Sequence, residues 1–206
     1  MKRYISLLLV VCICLSFAAC GNNQGTSKQE MEKSTQNGPK AIADKAYNLI
    51  KDSEDICKRG MKWRCQAFEF MIDYDFESSE SFESRFAKAL TGATEDEVLA
   101  ATIELHTKAS YDCFKIVDKM FENRGDYQKA EDNLKDAGKY LKELVDDDTY
   151  YSDLKEYYSA VSVYSKYFSS SIDVFENILY DDLKENIRQY EDEIDAASSS
   201  VSFLFE

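Results

Sequence analysis

Proline is nearly missing from this chain, one residue in 206, and it stands at Pro39. Glycine is scarce too: of seven, only Gly60, Gly92, Gly125 and Gly138 come after that proline. A sheet protein needs far more turn punctuation than this, so the sequence excludes β-rich architectures and reads as helices joined by short breaks. Histidine is rarer still, His106 alone. Triads, zinc sites and bis-histidine haem all require more ligands, or a partner base, than one imidazole supplies. No H-E-x-x-H, no Walker A glycine loop and no G-x-S-x-G occurs. Cations are outnumbered, 25 Lys and Arg against 39 Asp and Glu, for a formal charge of −14. Such a surface repels phosphate backbones, so nucleic acid is disfavoured as a partner.

Long apolar runs are limited to one, and it lies at the N-terminus. Lys2 and Arg3 precede an apolar stretch from Tyr4 to Phe17, followed by Ala18-Ala19-Cys20. This is a charged n-region, an h-region and a small-residue cleavage site, the layout of a secretory signal. The stretch contains Ser6 and Ser16 and falls short of the roughly 20 residues a membrane-spanning helix requires. With the cysteine directly after Ala19, the segment resembles the bacterial lipoprotein signal and its lipobox. The resemblance implies that residues 1–19 are removed as a signal peptide and that Cys20 becomes a lipidated, acylated (palmitate-type) first residue. The protein is then expected outside the cytoplasm, lipid-anchored to the outer leaflet of the cell membrane. Phe17 departs from the aliphatic residue usual three places before the cysteine, and Gly21 stands where inner-membrane retention in two-membrane bacteria uses Asp. The alternative is an ordinary cysteine beside a conventional signal-peptide cut.

Removing Lys2 and Arg3 leaves 23 cations against 39 acids, a balance of −16. Residues 20–38 then form a polar stretch in which only Met31 is apolar after the cysteine. It cannot bury enough surface to offset its ordering entropy, and as coil it spans roughly 20–25 Å, a flexible tether for a domain over 39–206.

In that domain apolar residues recur at alternating steps of three and four. Pro39 suits a first helical position, and Ile42, Ala46, Leu49, Ile56, Trp63 and Phe70 mark a helix to about residue 76. A short helix carrying Phe82, Phe86 and Leu90 ends at Gly92. Thr94 and Glu97 form a capping box for a helix expected to continue to Gly125. Asp126 caps another, Asp146–Thr149 breaks it, and Leu154 to Phe168 resumes the pattern as the second half of one broken rod. From Ser169 a final helix of some 33 residues is expected to run almost to the terminus. The fold class is all-α: an elongated, mostly antiparallel bundle of about four long rods.

Four cysteines follow the signal segment, of which Cys20 is assigned to lipid. Counting from the ends of an antiparallel hairpin brings Cys57 level with Cys113, the expected disulfide, with Cys65 about 12 Å further along the rod. All three as small buried hydrophobes is the alternative. Asp73 to Glu77 begins like a calcium loop, but Ser78 and Ser84 stand where Gly and Glu belong.

The aromatic content is the unusual feature of the body. Tyr150, Tyr151, Tyr157, Tyr158, Tyr164 and Tyr167 share one helix with Phe168 and cover more of its circumference than a core stripe requires. Either that helix is central and touches neighbours on several sides, or its outward tyrosines form a docking face for a protein, peptide or glycan. The ending, Asp153-Leu-Lys-Glu-Tyr-Tyr-Ser159 with a later serine run, resembles in style small helical lipoproteins of low-GC Gram-positive bacteria, and that likeness carries no functional residues. The expected function is a non-enzymatic envelope lipoprotein acting as an interaction or ligand-binding module, with no cofactor and no metal. The alternative is an enzyme or redox protein using carboxylates, a free cysteine or His106, the last as a haem ligand with Met71 or Met120.

Overall fold

The computed structural model describes residues 38–74, 77–106, 112–146, 150–170, 175 and 178–205. All regular structure among them is helical: α1 (Pro39–Asp73), α2 (Phe82–Ala89), α3 (Glu95–His106), α4 (Cys113–Arg124), α5 (Asp126–Glu143), α6 (Tyr151–Phe168) and α7 (Tyr180–Val201), with a 3₁₀ turn at Ser202–Leu204. The expected all-α class holds. Cys20, the signal segment and the tether lie outside the described residues, as does the side chain of His106.

The 35-residue α1 is about 52 Å long and acts as the spine. It opens at Pro39, where a missing N–H costs nothing. Its buried residues cover a wide arc, because α4, α5, α6 and α7 all pack on it. Contacts fix the register. Against α5, Lys45 lies over the Tyr140 ring, Ser53 donates to the Ala130 carbonyl at 3.2 Å and Arg59 meets Asp126 at 3.0 Å. Against α6, Tyr47 meets the Tyr157 ring and Arg64 donates to the Phe168 carbonyl. Against α7, Lys58 pairs with Asp195 at 2.9 Å. Gly60 is required where α1 meets α6, since a Cβ there would overlap the Phe168 ring.

Trp63 ties α1 to α4 and to the turn after α2. Its indole stacks on Phe121 of α4 at 5.8 Å, and its N–H donates to the Thr91 carbonyl at 2.8 Å, so the largest buried side chain leaves no polar atom unpaired. The capping box forms as expected, Glu97 N–H to Thr94 Oγ1 at 3.2 Å and Thr94 N–H to Glu97 Oε2 at 3.0 Å. Gly125 takes φ +68°, ending α4.

Four expectations are corrected. The helix expected from Thr94 to Gly125 is two, because Asp112 turns extended and its carboxylate accepts from the Phe114 and Lys115 amides at 3.0 and 3.2 Å, starting α4 afresh. α5 and α6 are not halves of one rod: the chain turns back between them, so that Tyr158 meets Gly138. The last helix begins at Tyr180 and has 22 residues, since Leu179 is extended (ψ 148°) and 71% exposed.

The fourth concerns the disulfide. Cys57, Cys65 and Cys113 are free thiols. The break before α4 shifts the register on which the Cys57–Cys113 pairing rested. Phe114 packs on Phe68 at 5.5 Å, and Cys113 borders a pocket with Phe70 and Met71. Those residues lie about 20 Å along α1 from Cys57, far beyond the reach of an S–S bond.

Candidate functional site

Because α6 returns alongside α5, the two helices enclose a groove of about 1210 Å³. On the α5 side it is lined by Gln128, Glu131, Lys135, Gly138 and Lys142, at steps of three and four, so one helix face supplies them all. On the α6 side Tyr151, Lys155, Ser159, Ser162, Lys166 and Ser169 do the same. Glycine and serine in the groove's middle add little bulk of their own, and the Tyr158 side chain lies over Gly138. Leu134 and Leu141, each 7% exposed, and the half-buried Tyr158 give it an apolar floor, and Val163 stands beside them at 44% exposure.

Charge sets the groove apart from the rest of the surface. Lys135, Lys142, Lys155 and Lys166 face it, against Glu122 and Glu131. Elsewhere Lys51, Lys58, Lys119, Lys139 and Lys184 each sit within ion-pair distance of a carboxylate, though exposed Lys62 and Lys129 meet none among the described residues. The four groove lysines pair with none among the described residues, and Lys155 instead lies over the Tyr151 ring at 5.2 Å. In a chain of formal charge −14, a locally cationic cleft is a departure from the average. The Ser162 hydroxyl, at the groove's centre, is buried with no partner among the described residues.

The six tyrosines singled out from sequence divide. Tyr151 and Tyr158 line the groove. Tyr157 and Tyr164 are fully buried, which corrects their assignment to a surface. Tyr157 donates to Glu54, and Tyr164 donates to Glu191 at 3.2 Å. Burial, reinforced by those carboxylates, pushes both phenols well above their usual range. Tyr150 packs on Phe205, and Tyr167 packs at a tilt against Phe175 and Tyr190. α6 is therefore central, touching α1, α5 and α7, which is the other reading the tyrosine content allowed.

No family model, no curated protein and no solved structure matches the chain.

Two polar clusters lie inside the bundle. Burial opposes the charge on Glu54, but donation from Tyr157, Lys58 and Lys51 outweighs it and holds the carboxyl below its usual range. Arg64 threads between the Phe121, Phe168 and Phe175 rings, donating to the Phe168 carbonyl and to Tyr127 at 2.8 Å, with Asp118 at 3.5 Å. Both clusters satisfy charges within the fold. A general acid or base needs a proton affinity near the working pH and room for a substrate, and Glu54 has neither. Burial pushes the Cys57 and Cys113 thiols up to about 12 and Cys65 to about 11, so their thiolates are scarce at neutral pH. Among the described residues no three His, Cys, Asp or Glu side chains gather to hold a metal ion, and no helix is long and apolar enough to cross a membrane.

A second, smaller pocket of about 520 Å³ is walled by Phe70, Met71, Tyr74, Phe82 and Cys113 at the end of α1. The groove's lysines and serines were not legible as a site. Their one signal is a serine series, Ser159, Ser162, Ser165 and Ser169, at helical spacing on a face where a core helix would carry apolar residues.

Proposed function

We propose that this chain is a lipid-anchored, extracytoplasmic helical protein without catalytic activity, and that it works by holding a partner in the α5–α6 groove. The N-terminal half of the reading rests on the lipobox-like Phe17-Ala18-Ala19-Cys20 and the polar tether behind it. The observation that carries the rest is the groove itself: a long cleft with an apolar floor and four unpaired lysines, beside the tyrosine-rich helix. Binding sites commonly combine such a concave apolar surface with a few polar groups. We also read α1, α5, α6 and α7 as four rods of a mostly antiparallel bundle, from the register contacts among them. Such a frame holds the groove walls at a fixed spacing.

Two measurements test this. Intact-mass analysis of the membrane-associated protein is expected to show a chain starting at a diacylglycerol-modified Cys20, with the modification lost in Cys20→Ser. Photo-crosslinkers placed at Ser159 in the groove and at Asp192 on the far side of α7 are expected to capture a partner from the first position only. Equal capture at both positions would overturn the binding role, and an unmodified Cys20 would overturn the anchor.

A further inference from the structure

The occupant's chemistry is written in the groove walls, and this step rests on the binding role just proposed. We infer that the α5–α6 groove receives an acidic amphipathic helix from a partner protein.

Shape supports a helix. The lining residues run from Gln128 to Lys142 on α5 and from Tyr151 to Ser169 on α6, about 21 and 27 Å of helix. A straight trough between two packed helices presents ridges and grooves that a third helix of about 15–18 residues matches lengthwise. Leu134 and Leu141, seven residues apart, lie along the floor with Tyr158 between the walls. This row fits apolar side chains that recur every three or four residues. Ser159, small and exposed, leaves the space into which such side chains insert, beside Gly138, over which the Tyr158 hydroxyl lies.

Charge fixes the sign. Exposed Lys135 and Lys142 stand on one rim, exposed Lys155 and Lys166 on the other, all without a carboxylate among the described residues. A helix with Leu or similar residues on one face and Asp or Glu on both flanks supplies acidic partners to the lysines of both rims, and screens their mutual repulsion. A phosphate polymer has no use for the leucine floor. A bilayer does not enter a concave trough, and the remaining acidic surface repels anionic headgroups.

The test uses the protein from Cys20 to its C-terminus and a fluorescent synthetic peptide of about 18 residues, leucine at 3–4 spacing and glutamate elsewhere, with a lysine-for-glutamate counterpart. Anisotropy is expected to show binding of the acidic peptide, weakening as salt rises, and none of the basic one. K135E/K142E/K155E/K166E is expected to lower affinity at least about tenfold. These lysines are exposed, so the fold survives their reversal, which circular dichroism checks. Ser159→Trp, filling the trough without touching charge, is expected to do the same. Equal binding of both peptides, or unchanged binding in both variants, would overturn the inference. So would tighter binding of polyphosphate or of phosphatidylglycerol vesicles than of the peptide, or dimerisation of the chain abolished by the charge reversal, which would put a second copy in the groove. Where Ser159 crosslinks a partner but the charge reversal leaves that capture intact, the acidic assignment fails and the binding role stands.

Discussion

Tyr157 of α6 donates its phenolic proton to Glu54 of α1, a carboxylate only 2% exposed. Lys51 and Lys58 approach the same carboxylate at 3.0 and 2.9 Å, and Lys58 continues to Asp195 on α7. One buried charge thus ties three helices together. Breaking such a contact leaves the partner unsatisfied, so the loss exceeds what the hydrogen bond adds when intact.

Tyr157→Phe is therefore expected to lower stability by about 2 kcal/mol, since it removes a hydrogen bond to a charged group without changing volume. The lysines keep contact with water, and their share is small. Urea unfolding followed by circular dichroism checks this. A midpoint within error of the wild type would show that the phenol–carboxylate contact contributes nothing.

Acid should find the same site. The Glu54 carboxyl is held below the ordinary 4.5 in the folded chain, so folding favours its ionised form. That contribution is complete above the unfolded value and disappears as pH falls through the lower folded value. Glu54→Gln is expected to be less stable than wild type at neutral pH, with the gap narrowing below about pH 4.5. A gap independent of pH between neutral and strongly acidic solution would refute the linkage.

Helix existence was readable from sequence, as were the breaks marked by Gly92, Gly125 and the Asp146 run, but the breaks at Asp112 and Leu179 were not, for a physical reason. Periodicity reports the phase of the apolar stripe, and a break that preserves phase leaves it intact. Ala109, Cys113 and Ile116 continue the 3–4 spacing across the point where Asp112 caps a new helix, and Phe175, Leu179 and Leu183 continue it across extended Leu179. The capping box at Thr94 was visible because its chemistry is local. The Cys57–Cys113 pairing failed because it counted rise along a helix that is interrupted. At the groove, tyrosine content drew attention to the right helix, yet Tyr157 and Tyr164 face its core side, while the lysines that mark the cleft are spread over two helices and look like ordinary solvated charge until α6 folds back on α5.

Thiol chemistry gives an independent check on that register. Cys57 and Cys113 are buried, with thiols near 12, whereas Cys65 is half-buried and near 11. In residues 39–206 under native conditions, a thiol reagent is expected to modify Cys65 first and the other two only on unfolding. A non-reduced sample whose mass falls by two hydrogens, with Cys57 and Cys113 both blocked, would restore the bridge.

Arg64 carries a different kind of burden, since its guanidinium is 2% exposed and spreads its donors over the Phe168 carbonyl, Tyr127, Asp118 and the Met61 sulfur. Burial lowers its proton affinity, with Tyr127 and Asp118 offsetting part of that effect. A lysine reaches one of these acceptors as a point charge and cannot stack flat among three rings. Arg64→Lys is expected to cost about 3 kcal/mol, toward the range for breaking a buried charge cluster. Retention of the wild-type melting temperature would show the fork geometry to be dispensable.

Two helical glycines separate close packing from simple helix propensity. At Gly60 an added Cβ runs into the Phe168 ring, which is fully buried and has nowhere to move, so Gly60→Ala is expected to destabilise by about 1–3 kcal/mol despite alanine's better propensity. At Gly138 the nearest atom is the Tyr158 hydroxyl at 3.0 Å, the tip of a side chain lining an open groove and free to swing away. There the propensity gain of about 0.8–1 kcal/mol is expected to prevail, making Gly138→Ala neutral or stabilising. Thermal unfolding of the two variants side by side decides the matter. Equal destabilisation of both would mean that the groove wall at Tyr158 is as rigid as the core, and that the trough is set too firmly to adjust to an incoming helix.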